Sequence, residues 1–231
     1  MALLLKENFE GASYDNAGWI EIAETGCTVV ENSAIPGTKP NIFCDAQCLT
    51  CANVDATNNN AYSYWTNASN QDISYIGGYI YIASEGMADG QLAGYMFGLL
   101  NDGGLVTAMV YPYQAAGGQL QLWLAYYSGG AIAYDQGLSP FAVGTWYYAE
   151  IKYDVTNLAW QWWIDGVSQG SGALTAATRV QRIILTGFLS GNPSAANSVS
   201  FDYVRWNNSE RVPAPPPMRH YKKYYDYRRG Q

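Results

Sequence analysis

The residues with the most obvious chemistry are four cysteines, Cys27, Cys44, Cys48 and Cys51. The last three have the spacing C-x3-C-x2-C, which radical enzymes use to hold an iron-sulfur cluster. Those enzymes carry the motif in a loop of an α/β barrel, whereas Gln47-Cys48-Leu49-Thr50-Cys51-Ala52 reads as a short strand. A strand sends Cys48 and Cys51 to opposite faces. A tetrahedral zinc site on all four is geometrically freer, but zinc knuckles pair two C-x2-C hairpins and the chain has one such pair. Buried or unpaired thiols are the expectation, with a disulfide or a metal site as the alternatives.

Acid-base and nucleophilic chemistry is poorly served. Glycoside hydrolysis needs two carboxyl groups held together across the scissile bond. Glu21 and Glu24 are three residues apart, an offset that crosses a sheet. The single histidine, His220, stands near the C-terminus, so Ser-His-Asp or Cys-His chemistry lacks a base elsewhere. Neither a phosphate-binding glycine loop nor an H-E-x-x-H zinc helix occurs. Asp89, Asp102 and Asp135 fall in loops, but the sequence brings them to no common point. No catalysis, cofactor or metal is expected.

Aromatic and amide side chains offer binding chemistry instead. Strand alternation puts Trp146, Tyr148, Glu150 and Lys152 on one side of their strand, Gln161 and Trp163 on one side of the next, and Gln121 and Trp123 on one side of a third. If the three strands share a sheet, Gln121, Trp123, Trp146, Tyr148, Glu150, Gln161 and Trp163 line one face. Sugar rings stack on indoles through their C–H faces while amides and carboxylates meet the hydroxyls, so such a face suits a glycan. Cross-strand stabilisation and burial against another subunit are the competing uses.

The elements that must position these residues are strands. The 231 residues are 48% hydrophobic and 13% charged, with 24 Gly, 20 Tyr and 8 Trp, a composition of strand and turn formers. Strand-like runs recur over Leu3 to Phe9, Trp19 to Val30, Cys48 to Ala52, Ala61 to Thr66, Ile73 to Ala83, Leu92 to Leu100, Leu105 to Tyr111, Leu120 to Tyr127, Thr145 to Val155, Ala159 to Ile164, Arg179 to Leu189 and Val199 to Trp206. Asn101-Asp102-Gly103-Gly104, Ala116-Gly117-Gly118, Ser128-Gly129-Gly130 and Asp165-Gly166 mark tight turns. This pattern predicts one all-β, two-sheet antiparallel sandwich over residues 1–210.

Beyond Glu210 the composition changes. Val212-Pro213-Ala214-Pro215-Pro216-Pro217 leads into Arg219, Tyr221, Lys222, Lys223, Tyr224, Tyr225, Tyr227, Arg228 and Arg229. Six of the twelve basic residues lie after position 210 against the single acid Asp226, so 211–231 carries +5 and 1–210 carries −12. The prolines predict a stiff, extended arm ending the domain. Disordered tails are usually poor in aromatics, so Arg219 to Arg229 is expected to dock on a partner protein. The acidic body disfavours nucleic acid. No run is long and apolar enough for a signal-peptide core or a membrane span, which predicts cytoplasmic synthesis and no membrane association.

Thr145-Trp146-Tyr147-Tyr148-Ala149-Glu150-Ile151-Lys152-Tyr153-Asp154 followed by Trp160-Gln161-Trp162-Trp163-Ile164-Asp165-Gly166 resembles the central hairpin of concanavalin A-like and laminin-G-like jelly-roll domains. Asn8-Phe9-Glu10-Gly11, Phe97-Gly98-Leu99-Leu100 and Phe201-Asp202-Tyr203-Val204-Arg205-Trp206 fit the same superfamily. The glucanases among them carry a Glu-x-Asp-x-x-Glu strand that this chain lacks. The opening Leu3-Leu4-Leu5-Lys6-Glu7-Asn8-Phe9-Glu10-Gly11 resembles laminin-G-like proteins of tailed bacteriophages. The resemblance implies a jelly roll with an extended C-terminal tail, and a non-catalytic virion structural protein (capsid decoration, fibre or tail-associated module). It would be anchored by its arm to other virion proteins, be present in several copies or as a homo-oligomer, and display a lectin-like sandwich toward host or environmental glycans. A free lectin is the alternative, and a divergent glycoside hydrolase or lyase the third reading.

Overall fold

In the computed structural model, residues 3–10, 13–38, 47–53, 60–84, 96–138, 140–188 and 197–213 are described. Fifteen strands follow one another among them, with no helix: β1 Leu3–Glu7, β2 Trp19–Ala23, β3 Cys27–Ala34, β4 Gln47–Asn53, β5 Ala61–Gln71, β6 Ile73–Ser84, β7 Phe97–Leu100 and β8 Val106–Gln114. Then come β9 Leu120–Ser128, β10 Ala131–Gln136, β11 Trp146–Asp154, β12 Ala159–Ile164, β13 Val167–Ala173, β14 Val180–Phe188 and β15 Asn197–Asn207. They form two antiparallel sheets packed as a jelly-roll sandwich, the fold class expected from the sequence. One sheet has the order β13-β12-β11-β6-β15-β4-β3, with β1 also on β15; the other runs β10-β9-β8-β7-β14-β5-β2.

Period-two alternation builds the core. Leu120, Leu122 and Leu124 of β9 point inward to meet Ile151 and Tyr153 of β11 and Trp160, Trp162 and Ile164 of β12. Polar bridges join the sheets at this end: the Trp162 indole donates to Asp135 Oδ2 at 2.7 Å and the Tyr153 hydroxyl donates to the Tyr127 carbonyl at 2.9 Å. Both groups are thereby satisfied without water.

Three details differ from the sequence reading. The single run expected over Trp19 to Val30 is two strands in different sheets, because Gly26 takes φ 76° in the turn between them. The polar, glycine-bearing β13 and the short β10 are sheet edges with no strong apolar signal. In β15, Tyr203 adopts φ 50° at a register shift between Asp202 and Arg205. This bulge rephases the strand, so that Val199 and Phe201 before it and Val204 and Trp206 after it all enter the core.

At the N-terminus, the carboxylate of Glu7 is fully buried. It accepts from the backbone N–H groups of Phe9, Asp15 and Asn16 at 3.2, 2.8 and 3.1 Å and from the indole of Trp19 at 3.1 Å. This network holds Phe9, at φ 59°, in the core.

Candidate functional site

The sequence-predicted face divides between two sheets. Trp146, Tyr148 and Glu150 of β11 and Gln161 and Trp163 of β12 do share the outer face of the eight-stranded sheet, with Glu150 opposite Trp163 and Lys152 opposite Gln161. Gln121 and Trp123 belong to β9, in the seven-stranded sheet on the far side of the core. The expected seven-residue face therefore does not form, because alternation assigns a residue to a side of its strand and says nothing of which sheet the strand joins.

Nor is the outer face of the eight-stranded sheet open. Trp146 donates to the Pro36 carbonyl at 2.9 Å and packs against Tyr79 and Tyr81. Tyr148 is fully buried and donates to the Val212 carbonyl at 2.9 Å. Glu150, 1% exposed, accepts both Nε and Nη2 of Arg211 at 2.7 and 2.8 Å, while the same guanidinium lies 4.2 Å over the Trp163 ring. Val212 fills a recess that exists because residue 77 is glycine: a Cβ there would stand 2.8 Å from the Val212 carbonyl and 2.5 Å from the Tyr148 hydroxyl. Arg211 and Val212, assigned to the arm from sequence, thus clasp the sandwich and close the surface read as a glycan site. Burial raises the Glu150 carboxyl above its ordinary value, with Arg211 pulling the other way, and burial raises the Tyr148 phenol strongly.

The cysteines follow the strand argument. Cys48 lies on this outer face beside Tyr79 and Trp146, where burial pushes its thiol up to about 11. Cys51 points into the core and donates to the Leu185 carbonyl, its thiol also raised by burial. Among the described residues no group of cysteine, histidine or carboxylate side chains could hold a metal ion. Cys44, Asp89, His220 and the arm residues Arg219, Tyr221, Lys222, Lys223, Tyr224, Tyr225, Tyr227, Arg228 and Arg229 lie outside the described residues.

The open aromatic surface is on the seven-stranded sheet. Trp123 sits with Tyr113 at 4.6 Å and Tyr111 at 6.5 Å between ring centroids, and Tyr134 meets Tyr111 edge-on at 5.9 Å. Tyr134, on the edge strand β10, is 48% exposed, Trp123 and Tyr113 are half-buried, and Tyr111 forms the floor at 1%. The Trp123 indole donates to Gln121 Oε1 at 2.8 Å, and Gln136 stands opposite Trp123 on β10. Rigid rings edged by amides can stack a flat ligand and hydrogen-bond its rim. Tyr111, Tyr113 and Tyr134 were missed from sequence, although the register that pairs Tyr111 with Trp123 and Tyr113 with Gln121 follows from the hairpin around Gly117-Gly118. A polar depression of about 340 Å³, lined by Asn70, Gln71, Asp72, Ile73, Thr156 and Asn208, lies elsewhere and contains no aromatic ring.

No family model matches the chain, and no curated protein matches it. Solved structures do. A cellulose induced protein aligns over 90% of this chain and 99% of its own, at TM-score 0.61 and 12% identity. A sialidase aligns over 90% of this chain at TM-score 0.60 and 10% identity, and the binding domain of Paraclostridial Mosquitocidal Protein 1 over 97% at 0.59 and 11%. What they share is the fold. This chain spans 19% of the sialidase and 52% of the toxin structure. At such identities the likeness establishes the jelly-roll sandwich and transfers no residue role.

Proposed function

We propose that this chain is a non-catalytic carbohydrate-binding module of lectin-like type, that its ligand stacks on the Tyr111-Tyr113-Trp123-Tyr134 platform, and that its C-terminal arm attaches it in several copies to a bacteriophage virion. The observation that carries the reading is the platform itself, an open cluster of rings edged by Gln121 and Gln136. It stands on the sheet opposite the one clasped by Arg211 and Val212, so the ligand face is not the face to which the start of the arm is held. The non-catalytic part is supported by the strands beneath the rings: β7 to β10 contain one acid, Asp135, whose carboxylate turns inward to the Trp162 indole. A glycosidase needs two carboxyls at the scissile bond. The virion part rests on the bacteriophage-like opening at Leu3 to Gly11 and the basic, tyrosine-rich arm.

A glycan array probed with the full chain and with Trp123→Ala tests the binding claim: saturable binding lost in the variant is expected, and binding to no glycan overturns it. Co-sedimentation of full-length and 1–213 protein with purified phage particles tests the anchor. Pelleting of the full chain alone is expected; pelleting of neither leaves a free lectin.

A further inference from the structure

We infer that the platform selects neutral glycans, built from pyranoses with mostly equatorial hydroxyls, and rejects uronate- and sialate-bearing ones. This rests on the binding reading above and specifies its ligand class.

The argument is one of charge. The strands of the seven-stranded sheet carry Glu21, Asp135 and Arg182 as their only charged side chains. Glu21 is exposed on β2, the edge strand at the far end of the sheet from the rings, where it accepts from the Tyr14 hydroxyl at 2.7 Å, and Asp135 turns inward to Trp162. Arg182 faces outward on β14, two strands from β8, but its Nη2 donates to the Asp102 carbonyl at 2.7 Å and its guanidinium lies over the Tyr64 ring. No described cation is thus left on this sheet to meet a sugar carboxylate at the rings. A carboxylate brought against Tyr111 and Trp123 would lose water without a charged partner, which is costly. The body's −12 adds long-range repulsion toward polyanions.

A neutral ring meets the opposite conditions. Equatorial hydroxyls leave both faces of a pyranose as C–H surface, which complements indole and phenol faces, while its rim hydroxyls find Gln121, Gln136 and the tyrosine hydroxyls. Gln136, Trp123 and Tyr111 stand opposite one another on β10, β9 and β8. Three adjacent strands span roughly 10 Å, room for two stacked rings.

The test is isothermal titration of the full chain with soluble mixed-linkage β-glucan, xylan and galactomannan against alginate, polygalacturonate and sialyllactose. It is run at about 50 and about 500 mM salt, either side of the screening range for exposed charge. Expected are binding to at least one neutral polymer at similar affinity in both salts, none to the anionic set, and at least a tenfold loss in both Trp123→Ala and Tyr134→Ala. Tyr134→Ala removes an exposed edge-strand ring and guards against a folding defect in the tryptophan variant. Binding to an anionic glycan through Trp123 overturns this inference and leaves the binding reading standing. Neutral binding that survives both variants places the ligand elsewhere and overturns it too. If no glycan binds, or if sedimentation velocity shows the platform closed in a dimer that Trp123→Ala dissociates, the inference falls with the binding reading.

Discussion

Glu150 and Arg211 show how one buried charge can organise a surface. Arg211 is 36% exposed and Glu150 1%, so their contact falls short of a fully enclosed pair but well above a surface one. Arg211→Ala strands the carboxylate and should cost about 2 kcal/mol at neutral pH, discounting the enclosed-pair range for solvent at the guanidinium. In a domain of this size that is a melting shift of roughly 6 °C. The sign of its pH dependence follows from the raised Glu150 carboxyl. Between the ordinary and the raised value the folded state binds the extra proton, so this group's contribution to stability falls as pH rises through that window and is greatest below it. The cost of Arg211→Ala should accordingly shrink on acidification as Glu150 becomes neutral, read by melting both proteins from pH 7 downward; a pH-independent difference would contradict the pairing. Tyr148→Phe, which removes only the bond to the Val212 carbonyl, should cost about 1 kcal/mol in denaturant unfolding. Buried and raised to about 11, the Cys48 thiol should resist iodoacetamide at pH 8 until the protein is unfolded.

At the scale of the strand, the bulge at Tyr203 decides more than any side chain near it. Inserting one alanine after Tyr203 shifts the phase once more and turns Val204 and Trp206 out of the core, so the insertion should abolish cooperative unfolding. Tyr203→Gly keeps the left-handed φ and should still fold, with both outcomes read by circular dichroism melts. Such rephasing is invisible in Phe201-Asp202-Tyr203-Val204-Arg205-Trp206 because strict alternation reads straight through it. The turn at Asp165-Gly166 was legible for the opposite reason, since at φ 49° and 80° these are the two residues a tight turn asks for, but the polar β13 that it leads into carries no apolar signal and was not. The candidate face was half legible. Trp146, Tyr148, Glu150 and Trp163 do share a side, but what covers them is Pro36 and Arg211–Val212, contacts made across 110, 61 and 64 positions of sequence. No local pattern encodes pairs so distant. The other rings of the platform, Tyr111, Tyr113 and Tyr134, were passed over because Tyr111 and Tyr113 lie in a near-continuous apolar run and Tyr134 in a short edge strand.

For the molecule as a whole, the contacts of the sandwich run past the change in composition at residue 210 to Arg211 and Val212. Ending the chain at residue 213 keeps Arg211 and Val212 and should leave the melting temperature of the full chain unchanged. Ending it at 210 should lower that temperature by at least as much as Arg211→Ala, since Val212 and the recess over Gly77 are lost as well. Equal melting of the two truncations would show that the clasp contributes nothing. The clasp also bears on mechanics. Residues 211 and 212 are held to β11 and β12, while the end of β15 that leads into them is hydrogen-bonded between β6 and β1. A pull applied at residue 213 therefore loads Arg211–Glu150 and Tyr148–Val212 before it reaches the end of β15. The sandwich has a strain relief at its exit, and stretching it from that end should give a small early rupture, absent in Arg211→Ala, ahead of the main unfolding peak.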